Sequence, residues 1–358
     1  MDQLKNEIKS KIRIQYNECF EFARAIEYLC ERYEKPLPDG VVIDENDISI
    51  KEKLKTKVTK DMQKDIQWLY KNLNISGIIE AYAVDYHTST VDEMLYAIEG
   101  SDDVVLCNYI GGIYISKFKA QHVRDWSEVK HSVELMKNFV RECQVIDEST
   151  RSNVVKCLEA PRDTKKKIIT ILRKLYKDAY SKIKLAVEKL LAEAQKQYME
   201  QLFLTPVDFV NRYFRNDFRV SSGKWAYRMV IHLSLFDPVD IKKLSIHDYI
   251  GQEGYLVLGK EAIQWYNDEN QSRIICQFLK AISDENRLTI LKQLSIKPSY
   301  GKELAEKLNL TPATIKHHLA LLEELKLIKA SRTEHKVYYL IDKESLNQGL
   351  EDLKTYLM

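Results

Sequence analysis

Residues 299–325, SYGKELAEKLNLTPATIKHHLALLEEL, leave the chain little choice of fold. Thr311 is a good N-cap and Pro312 suits the first helical position, so a helix starts where the apolar rhythm starts. At about 100° per residue, Ile315, His318, Leu319, Leu321, Leu322 and Leu325 share one arc, and Pro312, Ala313, Lys316, His317 and Ala320 the other. Upstream, Ser299 is placed to cap a helix over 300–308 with Leu304, Ala305 and Leu308 inward, and Asn309-Leu310 turns the chain into Thr311. Two short helices joined by so tight a turn have helix-turn-helix spacing.

The flanks extend the unit. FLKAISDENRLTILKQL (278–294) predicts a helix ending near Ile282 and a second capped by Ser283 or Asp284. LIKASRTEHKVYYLID (327–342) alternates like a two-stranded ribbon, with Arg332, Thr333, Glu334, His335 and Lys336 at or near its tip. Helices followed by such a ribbon make a winged helix-turn-helix. The adjacent histidines point in different directions, so they share neither a metal nor a proton. His317 stands in the open beside Lys316 and alanines, which suits close approach to another surface. His318 borders the apolar stripe.

Residues 278–342 resemble the arsenical-resistance-repressor (ArsR) family of bacterial transcription regulators. The resemblance is carried by LKAISDENRLTILKQL, by KELAEKLNLTPATIKHHLALLEELKLI and by VYYLI. It implies that the helix over 311–325 enters the DNA major groove and that the wing contacts the flanking backbone. Ser299, Lys302, Thr311, Thr314, Lys316, His317, Arg332, His335 and Lys336 are then the candidate DNA-facing residues, and His318, matching a recurrent family histidine, packs or orients. Lys316 stands where the family often has a small polar residue and Pro312 where it has glutamine, so base preference does not transfer. The family's small AGL turn is here LKL (325–327). Its metal-sensing branches place ligands in segments that read SYGKEL and KESLNQGLEDLKTYL here; the first has no Cys or His and the second no His. No metal and no cofactor are expected.

The remaining sequence is less specific. No apolar run is long enough for a membrane span, and the N-terminus is polar, so a cytoplasmic protein is expected. From Ser272 onward 14 Lys or Arg face 11 Asp or Glu, a basic excess too small to argue for DNA alone. Cys19, Cys30, Cys107, Cys143, Cys157 and Cys276 form no C-x-x-C pair and read as buried small hydrophobes. No phosphate loop, nucleophile elbow, dinucleotide fingerprint or H-E-x-x-H occurs, and His87, His122, His131, His232 and His247 are scattered.

The fold expected is mainly α with small β elements: a large helical sensory or oligomerisation domain over 1–265, the winged helix over 272–342 and a C-terminal helix over 343–358. Residues 11–29 read as a short strand then a helix. Helices are expected at about 48–73, 89–99, 126–144, 148–159 and, longest, 164–204, the last with a stripe of Ile168, Leu172, Leu175, Ala179, Ala186, Leu190, Ala194 and Tyr198. Residues 227–236 and 254–260 read as strands, 265–273 as a polar boundary, and Gly111-Gly112 as a hairpin turn or a helix break. The 21 tyrosines either line a pocket or fill core and surface. Together these readings predict a non-enzymatic regulator binding double-stranded DNA as a homodimer, the last helix contributing to the dimer, with a small-molecule effector left open. The alternative is an enzyme in residues 1–265 for which the winged helix is an anchor or protein-interaction module.

Overall fold

The computed structural model describes residues 2–30, 43–112, 129–142, 148–214, 228–243, 253–265, 268–333 and 336–357. The chain is mostly helical, with two small sheets, and divides into two compact units, one comprising 1–213 and 218–265, the other 214–217 and 266–358. No helix among the described residues is long and apolar enough to cross a membrane.

In the larger unit, α1 (Asp2–Lys11) leads into β1 (Ile12–Gln15) and α2 (Glu18–Leu29). Asn17 caps α2 by accepting from the Cys19 and Phe20 amides at 2.9 and 3.4 Å. Then follow α3 (Glu45–Lys57), α4 (Lys60–Asn72), α5 (Ile75–Asp85), α6 (Val91–Gly100), α7 (Asp103–Gly112), α8 (Val133–Glu142), α9 (Glu148–Glu159), α10 (Pro161–Asp178), α11 (Lys184–Leu204) and α12 (Pro206–Tyr213). The helix expected over 48–73 is two, because the Thr59 hydroxyl accepts from the Met62 amide and starts a new helix at Lys60. Gly111 and Gly112 close α7 and make no hairpin.

The long helix over 164–204 is also two. It breaks at Ala179, passes through one tight turn at Tyr180–Lys182, and resumes at Lys184. Neither Gly nor Pro causes this. Tyr180 is fully buried edge-on to Phe22, with ring centroids 5.2 Å apart and its hydroxyl 3.5 Å from that of Tyr16. Beyond the break Ala194 and Tyr198 of the expected stripe are buried, together with Val187 and Leu191, whereas Ala186 is exposed and Leu190 only partly buried.

The larger sheet holds β1, β2 (Arg228–Ser234), β3 (Ile241–Lys243) and β4 (Glu253–Gly259) in the order β1-β2-β4-β3. The first three in that order are parallel and β3 is an antiparallel edge. β2 is buried along nearly its whole length, as a strand covered on both faces should be. Gly259 ends β4 where a Cβ would lie 2.2 Å from the Asp237 carbonyl oxygen and 2.3 Å from Pro238 C and O. Its carbonyl accepts from the Tyr198 hydroxyl at 2.7 Å, tying α11 to the strand. α13 (Ala262–Trp265) completes this unit's described elements.

The smaller unit contains α14 (Asp268–Ile282), α15 (Glu285–Ile296), β5 (Ser299–Tyr300), α16 (Gly301–Leu308), α17 (Pro312–Glu324), β6 (Ile328–Thr333), β7 (Lys336–Ile341) and α18 (Lys343–Leu357). Residues 268–273, expected as a polar boundary, are the opening turns of α14. Cys143, His122, His247 and His335 lie outside the described residues.

Candidate nucleic-acid interface

Helices α15, α16 and α17 close over Ile290, Leu291, Leu294, Leu304, Ala305, Ile315, Leu319 and Leu322, with Phe278 from α14 and Leu327 and Ile328 from the wing. Asp284 caps α15 by accepting from the Arg287 amide at 2.9 Å, and this bond, with the Arg287 charge, holds its carboxyl below the usual range. The Arg287 side chain turns back to donate to the Ala281 and Lys280 carbonyls, each at 2.7 Å, which satisfies the C-terminal end of α14.

The turn between α16 and α17 depends on Asn309, whose φ of 54° is left-handed, a conformation Asn tolerates well; the Leu310 amide reaches back to the Ala305 carbonyl at 3.0 Å. Thr311 then accepts from the Thr314 amide at 3.1 Å and its hydroxyl lies 2.8 Å from that of Thr314. Pro312, Ala313, Lys316, His317 and Ala320 are exposed, whereas Ile315, His318, Leu319 and Leu322 are buried. The first acids on this helix are Glu323 and Glu324, at its far end. Its N-terminal turns therefore present a short-chained basic face without a carboxylate of their own. Buried His318 places Nδ1 3.8 Å from the Asp284 carboxylate, linking α17 to the start of α15.

The other candidate contacts divide. Lys302 is exposed on α16. Ser299 must be corrected: it is fully buried in β5, where it pairs with Tyr339 of β7, and Tyr300 takes the N-cap position of α16 without a side-chain cap. Its hydroxyl cannot meet a partner outside the fold. Arg332 and Lys336 lie in β6 and β7, flanking the wing tip, in antiparallel register with Thr333↔Lys336 as the last pair. Sequence reasoning did not single out Glu303, which pairs with Lys297 at 2.7 Å and Lys307 at 3.6 Å and so draws two cations away from any outside anion.

After α17 the chain turns on Lys326, at φ 57°, where the family turn carries glycine. A residue with a Cβ is disfavoured there by about 1 kcal/mol. Lys326→Gly is expected to stabilise the unit by roughly 0.5–1 kcal/mol, offset in part by the added freedom of the unfolded chain. Urea unfolding midpoints check this; a lower midpoint for the glycine variant refutes it.

The family described as bacterial regulatory protein, arsR family, matches residues 284–330. Among solved structures, reduced HlyU from Vibrio cholerae N16961 is 28% identical, covering 25% of this chain and 93% of its own, with a TM-score of 0.21. Comparison with curated proteins gives no match. Buried Ile315, Leu319 and Leu322 under an exposed basic face, after a left-handed Asn309 turn and before a two-stranded wing, agree with the family match: residues 284–330 form an ArsR-family helix-turn-helix domain, a DNA-binding regulatory type.

Proposed function

We propose that this chain is a cytoplasmic transcription regulator that binds duplex DNA as a homodimer across a two-fold operator. The observation that carries the reading is the exposed, acid-free N-terminal face of α17, the part of a recognition helix that meets base edges. The contacts we assign are Thr311, Thr314, Lys316 and His317 on α17, Lys302 on α16, and Arg332, His335 and Lys336 in the wing. The larger unit is assigned a sensory or assembly role without catalysis, with no metal as effector.

If the four cationic contacts Lys302, Lys316, Arg332 and Lys336 engage phosphates in both copies, log affinity falls against log salt with a slope near −7, or about four decades between 50 and 200 mM. Fluorescence anisotropy on an operator selected from random duplexes measures it. A flat salt response would sink the phosphate-contact reading.

The second copy is assigned to α18. Gly349 lets this helix sit against the Phe278 ring, which a Cβ there would meet at 2.4 Å, while Leu350 and Leu357 remain 46% and 71% exposed. Exposed leucines on an amphipathic helix suit a partner surface. Leu350→Glu with Leu357→Glu is expected to halve the mass seen by light scattering without lowering the melting temperature by more than about 2 °C. An unchanged dimer mass would move the interface elsewhere.

A further inference from the structure

The larger unit buries several charged side chains where its parallel strands end. α2 begins directly after β1, and Glu21 in its first turn is fully buried. One Glu21 oxygen accepts from the Leu235 amide at 2.8 Å, just beyond β2, and the Ser234 hydroxyl also stabilises the carboxylate; Oε2 itself has no partner at hydrogen-bond distance. Arg24, one turn on, is buried against Glu80 and Glu27, with Asp237 at 3.6 Å. Lys260, just past β4, is held by both oxygens of buried Asp47 and by Glu261, all at 2.9 Å. Lys51 is buried beside Asp47, Glu21 and Asp237, and that burial lowers its pKa.

Two features select the ligand. Open sheets with parallel strands bind small molecules outside the carboxyl ends of those strands. The N-terminal amides of α2, where an anion often binds in such folds, are already taken by the Asn17 side chain and the Ser89 carbonyl. Each basic group in the cluster also faces more than one carboxylate, so negative charge is in excess. A buried carboxylate oxygen without a donor is costly, and a ligand N–H would satisfy it. Asp237 and Glu27 are 22% and 18% exposed and form the edge nearest solvent.

We propose that the larger unit binds a small organic cation, carrying an amine or guanidinium group, that donates to Glu21 Oε2 and is drawn in past Asp237. The site needs neither DNA nor the smaller unit, so its test is separate from that of the regulator reading. Burial pushes the Glu21 carboxyl up to about 7. Tyr16 beyond β1, Tyr180, Ser234 at the end of β2, Asp237 beyond it, and Lys51 on α3 face it from the surrounding elements. Binding that requires its ionised form gains about tenfold from pH 6 to pH 8.

Isothermal titration calorimetry of the full chain with butylamine, putrescine and agmatine tests this, with 1,4-butanediol and succinate as neutral and anionic controls. At least one amine is expected to saturate a single site per chain below about 1 mM, roughly tenfold more tightly at pH 8 than at pH 6. Glu21→Gln and, separately, Asp237→Asn, each verified as folded by its melting curve, should weaken that amine tenfold or more. The proposal is overturned if none of the three amines binds, if succinate or the diol binds instead, or if both folded variants bind as the parent does.

Discussion

Gly259→Ala is expected to lower the melting temperature of the larger unit by about 8–16 °C, or to leave the protein insoluble. The added Cβ would lie 2.2–2.3 Å from backbone atoms of Asp237 and Pro238, and backbone cannot swing aside as a side-chain tip can. That stretch is also held in place: the Gly259 amide donates to the Asp240 carbonyl at 2.9 Å, Lys260 N–H to Ser234 at 2.8 Å, and Glu261 N–H to Pro238 at 2.7 Å. Relief of the clash therefore breaks several bonds together, at a cost of about 4 kcal/mol or more. For a unit of this size each kcal/mol moves the transition by about 2–4 °C. Gly100→Ala is the control, since nothing lies within 4 Å of a Cβ there and the transition should hold or rise slightly. Scanning calorimetry compares the two; equal transitions would show that the strand end yields where the contacts say it cannot.

The second large effect is on DNA. If the protein binds DNA as the proposed dimer, Lys316→Glu places a carboxylate on the open face of α17 in each copy, replacing attraction with repulsion at two symmetry-related positions. A loss of about 2–6 kcal/mol follows if each lost contact costs 1–3 kcal/mol, or about 30-fold to more than 10⁴-fold in affinity. Lys316 is exposed, so the melting temperature should stay within about 2 °C. His318→Ala should behave in the opposite way: its side chain is buried against the α17 core and near Asp284, so stability falls by about 1–3 kcal/mol. Gel shifts beside melting curves separate the two, and parallel stability losses would mean the faces of α17 have been misassigned.

The smaller unit was legible because its signals are local. Thr311, Pro312 and the apolar spacing of Ile315, Leu319 and Leu322 act within one helix, and Asn309 turns the chain by its own conformational tolerance. Ser299 was misread because its capping signal competed with pairing to Tyr339, forty residues on, which no local pattern records. The break at Ala179 escaped for the same reason: an uninterrupted helical composition gave way to the burial of Tyr180 against Phe22, a contact distant in sequence. The strands β1, β2 and β4 were each visible, yet their assembly into one parallel sheet was not. The buried ionic cluster was the least visible part, since Glu21, Lys51, Asp237 and Lys260 look like ordinary surface residues until the sheet gathers them.

The pairing of Ile12 with Met229 has a consequence for synthesis. At about 5–20 residues per second, β1 leaves the ribosome roughly 10–40 s before its partner exists. During that time the helices between them can form locally, but β1, with Ile12 and Ile14 on one face, waits with its edges unpaired, a state prone to pairing with other chains. The helix-turn-helix, built from near neighbours, faces no such delay. Production of this protein should therefore be limited by aggregation of nascent larger units, and slower elongation or a chaperone that shields extended segments should raise the soluble yield.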